Sequence, residues 1–228
     1  DFSVAAIIDK ANRNIDEIII DSARVYLTKI PYNDTTETVN ITEFARRIKA
    51  LIRRQSATRK YLSVDEVALN NARFIYNDQY RDSITNRFDY YHFTIEDIDG
   101  RFENLESRSD TLSMQVLSLR GFQPDSKMEI KDMQSFFSVS QSSMEFYGLD
   151  LRVGNSRMRD SVRFSYNNTA ELSEFNTKVT IDAHLENSVV YSHDLGNFAT
   201  FFKGVTDYYR LSGACQGRVN NLTLNDAN

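Results

Sequence analysis

A chain of 228 residues with 41% hydrophobic residues, 12 Tyr and 15 Phe is too rich in aromatic side chains to remain disordered, and it is long enough for one extended or two compact domains. Its formal net charge of -5 argues against sequence-independent binding to nucleic acid, since such binding needs a basic surface. The single cysteine excludes an intrachain disulfide and a zinc site built on a Cys-x-x-Cys pair.

The first predicted unit, residues 1–60, combines a strand pair with one amphipathic helix. Residues typical of strands cluster at 18–20 and 25–27, and a polar loop follows them. At 41–54 the apolar residues recur at helical spacing, and Asn40 can cap the start of this helix. Its opposite side carries a basic patch, which comprises Arg46, Arg47, Arg53 and Arg54. We favour a solvated outer face for this patch, and docking on anionic lipid or an acidic partner is the alternative.

From Tyr61 onward a two-residue hydrophobic period predicts antiparallel strands. We expect two β-rich units, at 61–135 and 136–228, and their similar opening strand pairs indicate weak internal repetition. A short helix is predicted at 193–203, with Ser192 as its cap, and the chain would end within a further repeat. The fold class is therefore mostly β with a few helices. The residues expected on one apolar face of the second unit are Leu149, Leu151, Val153, Phe164, Val179, Ile181, Ala183 and Leu185.

The sequence shows no grouping typical of an active site. Residues 192–194 read Ser-His-Asp, but consecutive residues point in different directions and cannot form a catalytic triad. Asp97, Asp99 and Gly100 have part of the spacing of a calcium loop, yet Ile95 occupies the first ligand position, so a turn between two strands is the simpler interpretation. Phosphate-binding loops and His-Glu-x-x-His helices are absent from the sequence. We therefore expect a protein that is not an enzyme, with no catalytic residue, cofactor or metal.

An alternating strand at 179–190 ends in Ser-x-Val, and Asp-Leu-x-x-Phe follows it. Together with the segment 146–156, this pattern resembles the AsmA-like/TamB family of bacterial envelope proteins, in the form found in Bacteroidetes-type bacteria. The stretch 25–74 is similar to the N-terminal part of that family. The chain would then be an interior fragment without the family's membrane anchor or its C-terminal assembly region. The residues that match the family motif are Ser188, Val190, Asp194, Leu195 and Phe198.

The resemblance implies an antiparallel, taco-shaped β-sheet built of weak repeats, with the apolar strand residues lining an inner groove. It also implies a periplasmic segment of an inner-membrane-anchored protein that supports phospholipid transport and outer-membrane protein assembly. The partners would be phospholipid acyl chains and, through regions absent here, a BamA-type outer-membrane barrel protein. No run of ~18 apolar residues occurs, so we expect no transmembrane segment in this sequence.

Two alternatives follow from the residues alone. Alternation by itself favours an apolar face that packs into a closed core, because any antiparallel domain shows it. The competing function is a periplasmic or surface β-sandwich that binds another molecule. Its exposed platforms would be Tyr90, Tyr91, Tyr208 and Tyr209.

Overall fold

The computed structural model describes residues 13–33, 36–39, 61–108, 110–218 and 221–225, which form one large, curved and unclosed sheet of twelve strands. The predicted mostly-β class with a few helices is confirmed. The strands are β1 (Arg13–Asp21), β2 (Arg24–Asn33), β3 (Thr36–Val39), β4 (Tyr61–Asp78), β5 (His92–Arg108), β6 (Thr111–Gln123), β7 (Met128–Val139), β8 (Ser143–Val153), β9 (Ser156–Ser165), β10 (Thr180–Tyr191), β11 (Tyr208–Arg218) and β12 (Asn221–Asn225).

Helical structure in the described residues is confined to short connections. A 3-10 helix at Thr169–Glu174 leads into α1 (Phe175–Lys178), and both lie between β9 and β10. Helix α2 (Ser192–Leu195) and a 3-10 helix at Thr200–Phe202 lie between β10 and β11. In this part of the chain, no helix has the length and hydropathy needed to cross a bilayer. The predicted helix at 41–54 and its basic patch lie outside the described residues.

From β4 to β12 each strand pairs antiparallel with the next, so the chain builds a continuous meander. The exception is the other edge of β4, where β1 and β2 pair with it in parallel, one after the other. β4 has 18 residues and is therefore about 60 Å long, enough for two strands end to end. A short kink at Ser22 joins β1 to β2 without reversing the chain. β1 and β2 therefore both pair with β4 and not with each other.

Several strands are longer than the apolar runs suggested, because β-bulges interrupt the two-residue period without ending the strand. The bulge residues Asn71, Asp97, Asn104, Gly148 and Asn187 have φ between 49° and 60°, and each lies beside a shift in pairing register. Asn, Asp and Gly tolerate this left-handed conformation best. The turn predicted at 97–100 is thus a bulge in the middle of β5. Each bulge also adds twist, which helps to curve the sheet.

Two boundaries differ from the sequence-based expectation. The predicted division between 135 and 136 falls inside β7, and the sheet continues across it. The helix predicted at 193–203 is replaced by α2, a turn and the second 3-10 helix. Gly196, which has low helix propensity, follows α2 directly. Ser192 lies inside α2 and is fully buried, whereas Tyr191 occupies the cap position.

Candidate functional site

One side of the sheet, which we call the apolar face, carries rows of apolar side chains that run across the strands. In one row, Ile181 pairs with Phe164, Phe164 with Met144, Met144 with Val139, and Val139 with Leu112. Directly opposed residues of antiparallel strands project to the same face, so these side chains are neighbours. A second row lies beside the first and comprises Cys215, Ala183, Val162, Phe146, Phe137 and Met114.

The bulge at Gly148 keeps the predicted groove residues of β8 on this face. Phe146 pairs with Val162, and Leu151 pairs with Met158 on the same side of β9. Because strand side chains alternate, Phe146 and Leu151 would face opposite sides without the extra residue. The φ of +60° at Gly148 allows this insertion. The pairing register therefore places Leu149, Leu151, Val153, Phe164, Ile181, Ala183 and Leu185 on one face.

The exposure of these predicted groove residues divides them into two groups. Leu149, Ala183 and Val179 are buried, with exposed fractions of 6%, 7% and 0%, and Val179 lies just before β10. The others, Leu151, Val153, Phe164, Ile181 and Leu185, are only partly buried. A face that is partly open to solvent can receive an apolar ligand, whereas a sealed core cannot.

The opposite face of the sheet carries ion pairs, together with the exposed aromatic pair Phe136 and Tyr147. Arg163 lies 3.3 Å from Glu145, and Arg157 donates to Asp150 through Nε at 2.7 Å. The hydrogen bond from Arg157 lowers the pKa of Asp150 below its usual value. Exposed pairs of this kind contribute little to stability. Their charged groups remain accessible to water on this face.

His184 and Asp160 form a hydrogen bond on the exposed surface of β9 and β10. This bond, followed by the charge of Asp160, raises the pKa of His184 above its ordinary value. The folded state therefore favours the protonated imidazole. The contribution of this hydrogen bond to stability is fully present below the pKa of unfolded histidine and is lost as pH rises through the raised pKa of the folded state.

We expect an NMR titration to show a raised pKa for His184 that Asp160→Asn returns towards normal. A wild-type His184 that titrates like a free histidine would contradict this expectation.

A cavity of about 390 Å³ lies where two connections approach the apolar face. The first is the segment 166–179, whose Phe175 ring lies 5.2 Å from that of Phe164. The second is the loop 79–91 between β4 and β5. Burial, followed by the charge of Asp78, raises the pKa of Tyr76 in the wall. The side chains that line the cavity are mostly aromatic or apolar, with one charge of each sign: Tyr76, Arg81, Tyr90, Tyr91, Phe93, Leu172, Glu174, Phe175 and Thr177.

Aromatic contacts extend from this cavity in two directions. On one side, ring centroids 5.0 to 6.2 Å apart connect Phe175 through Phe164 and Phe146 to Phe137. On the other side, the Phe93 ring contacts those of Phe74, Tyr76 and Phe88 at 5.3 to 5.8 Å. These separations are favourable for aromatic pairs. The cavity is thus one part of a longer apolar and aromatic surface.

Buried and backbone-directed hydrogen bonds hold the loop 79–91 in place. At its start, Asp78 is 1% exposed and lies 3.4 Å from the ammonium of Lys29. At its end, Asp89 accepts hydrogen bonds from the His92 ring at 3.0 Å and from the backbone N–H of Tyr91 at 2.9 Å. Burial alone would raise the pKa of Asp89, but these bonds outweigh it and lower the pKa. The wall that this loop provides is therefore well defined.

The family-motif residue Asp194 has an internal structural role. It is 9% exposed, and its Oδ2 accepts hydrogen bonds from the backbone N–H of Asn155 at 2.9 Å and from Ser156 Oγ at 2.6 Å. At Gly154, with φ of +57°, an added Cβ would lie 2.2 Å from Asp194 Oδ1. Asp194 therefore clamps the β8–β9 hairpin to the end of β10.

The other motif residues also contact the protein itself. Ser188 is fully buried and its Oγ accepts a hydrogen bond from the backbone N–H of Arg159 at 2.9 Å. Val190 is 8% exposed, and Leu195 is half-buried in α2. Phe198 is 49% exposed, and its ring lies 5.5 Å from that of Phe88. The motif thus fastens the ends of several strands together.

Sequence reasoning did not identify Leu172 and Phe175 as site residues. Tyr90 and Tyr91 were predicted as exposed platforms, but both are half-buried in the cavity wall. The density of aromatic residues between 88 and 93 was a usable signal. The approach of 172–177 to them depends on the curvature of the sheet, which no local pattern reports.

Comparisons of the chain with protein-family models, curated proteins and solved structures return no match. Membership of the AsmA-like/TamB family therefore stays a prediction. In the part of the chain that the structure describes, no group of three or more His, Cys, Asp or Glu side chains is placed to hold a metal ion.

Proposed function

We propose that this chain binds lipid acyl chains on its apolar face, as a non-enzymatic, periplasmic segment of an envelope-spanning protein. In that role it supports phospholipid transport and outer-membrane protein assembly. The observation that carries the proposal is the partly exposed apolar face, continuous over at least five strands and ending in the aromatic cavity. The envelope setting is supported by the sequence resemblance alone.

An acyl chain suits this face on physical grounds. Each Å² of apolar surface left in water costs about 25 cal/mol of free energy relative to its burial. Large exposed apolar patches therefore usually mark a site where another molecule binds. A hydrocarbon chain makes no hydrogen bonds and needs only contact with apolar side chains. The cavity volume of about 390 Å³ is within the range of ordinary ligand sites. The charged side chains of the opposite face would remain in water while lipid lay along the apolar one.

The β-sandwich binding module is the second candidate. The exposed fractions of Tyr208 and Tyr209, 52% and 40%, favour it because aromatic side chains at a surface can bind a partner. A sandwich, however, needs a second sheet packed on the first. All the strands that the structure describes belong to one sheet. The acyl-binding face is therefore better supported.

Cys215, the single cysteine of the chain, can test the proposal. It pairs with Ala183 on the apolar face, and burial raises the pKa of its thiol. Because the thiolate is the reactive form, alkylation should already be slower than for a free thiol. We expect dodecanoate, below its micellar concentration, to slow alkylation several-fold further by covering the thiol. The rate would be measured by mass spectrometry at constant pH.

The matched control is Cys215→Ser combined with Asp182→Cys. Asp182 is exposed on the neighbouring strand and has the opposite side-chain direction. Its alkylation should not respond to dodecanoate. Equal protection at both positions, or none at Cys215, would contradict acyl binding on the apolar face.

A further inference from the structure

The connection between α2 and β11 carries an exposed aromatic cluster, which we call the aromatic tip. Exposed fractions are 49% for Phe198, 74% for Phe201, 52% for Tyr208 and 40% for Tyr209. Single exposed apolar residues are normal on protein surfaces, but a cluster marks an interaction site. The tip comprises Phe198, Phe201, Phe202, Tyr208 and Tyr209.

Three rings of the tip, those of Phe201, Phe202 and Tyr209, contact one another in series. Phe201 lies 3.9 Å from Phe202 between ring centroids, and Phe202 lies 6.1 Å from Tyr209. Tyr208 instead contacts Tyr191 at 5.6 Å, because consecutive residues of a strand project to opposite faces. Phe201, Phe202 and Tyr209 are therefore held together and can enter an apolar environment as one unit.

Basic residues flank the tip. The guanidinium of Arg210 lies 5.9 Å from the centre of the Tyr208 ring. Lys203 is exposed and its ammonium donates to the backbone carbonyl of Asn86. Within 198–210 the only carboxylate is that of Asp207. Aromatic side chains with neighbouring cations are the composition that favours the interfacial layer of a phospholipid membrane.

Hydrogen bonds within this segment lower the cost of placing its backbone in a membrane. The backbone N–H groups of Ala199, Phe202, Lys203 and Val205 bond to carbonyls of the same segment at 2.9 to 3.1 Å. A backbone N–H without a partner costs several kcal/mol in a lipid environment. Because these four groups already have partners, they do not add that cost when the tip approaches the acyl region.

We propose that the aromatic tip docks on a phospholipid bilayer, with Phe201 inserted among the acyl chains and Lys203 and Arg210 near the phosphates. A flat protein surface would fit the exposed rings too, but the flanking cations and the bonded backbone favour a bilayer. Docking does not require the proposed acyl-binding function. If both hold, the ring contacts from Phe198 through Phe88 to Phe93 connect the membrane with the aromatic cavity.

The absence of tryptophan from the chain permits a direct test. Phe201→Trp introduces a single fluorophore at the most exposed position of the tip. On vesicles of mixed phosphatidylethanolamine and phosphatidylglycerol, its emission should shift to the blue, and lipids brominated on their acyl chains should quench it. If the chain bound vesicles through the basic patch at 41–54, or if the tip bound only other proteins, the emission of this tryptophan would not change when vesicles were added. An unchanged emission would overturn the proposal.

Vesicle flotation gives an independent measurement. Phe201→Ser should weaken binding on the order of tenfold or more, because a buried Phe side chain contributes about 1.5–3 kcal/mol. Phe136→Ser is the matched control, since Phe136 is 43% exposed on β7, far along the chain from the tip. Equal weakening by both changes would overturn the proposal. Lys203→Glu with Arg210→Glu should weaken binding at low salt only.

Discussion

Val179→Asp should unfold the chain, whereas Ile181→Asp should leave it folded and unable to capture lipid. Val179 is fully buried, so a carboxylate there would lack both water and a partner. That costs several kcal/mol, a large share of the ~5–15 kcal/mol by which a domain is typically stable. Ile181 is only partly buried and pairs with Gly217, which has no side chain to cover it. Its carboxylate can therefore reach water.

Far-ultraviolet circular dichroism and chemical denaturation would report folding, and labelling by a photoreactive fatty acyl probe would report capture. Thr180→Asp is the control, because Thr180 lies between the two positions and its side chain alternates to the other face. It should retain both folding and labelling. If Ile181→Asp also unfolds the chain, the apolar face is a sealed core. If Ile181→Asp folds and the wild type is never labelled, the acyl-binding proposal fails.

Asp194→Ala should destabilise the chain by about 1.5–3 kcal/mol, the contribution of hydrogen bonds to a charged group. The two bonds that it removes, from Asn155 and Ser156, join the β8–β9 hairpin to the end of β10. Asp194→Asn should cost less, since an amide oxygen can still accept one of them. Gly154→Ala should be destabilising as well, because it combines a positive φ with a clash against the same carboxylate.

Urea denaturation of the single variants and of Asp194→Ala with Ser156→Ala would measure the coupling between the two side chains. Because they share a hydrogen bond, we expect their effects to be less than additive, by about 0.5–3 kcal/mol. Full stability in Asp194→Ala, together with a loss of acyl labelling, would instead assign the motif aspartate to ligand binding.

The candidate site was predictable from sequence only in part. Alternation identified Ile181, Ala183 and Leu185 as one face, since side-chain direction in a strand repeats every two residues. Alternation alone would place Phe146 and Leu149 on opposite faces, because it does not report the bulge at Gly148. The prediction of a helix at 193–203 was also wrong because contacts with distant residues decide the structure there. Its apolar spacing was real, but Asp194 is held by the hairpin and Phe198 packs against Phe88.

The sequence by itself determined that this chain is mostly β and that its strands have one apolar and one polar face. Both properties depend on residues that are close together in the sequence, and the two-residue hydrophobic period shows them directly. Only the tertiary structure decided that β1 and β2 run parallel to β4, that bulges unite the apolar residues on one face, and that 172–177 meets 76–93 around a cavity. Strand pairing and sheet curvature join residues far apart in the chain, and their energies depend on contacts that no local pattern contains.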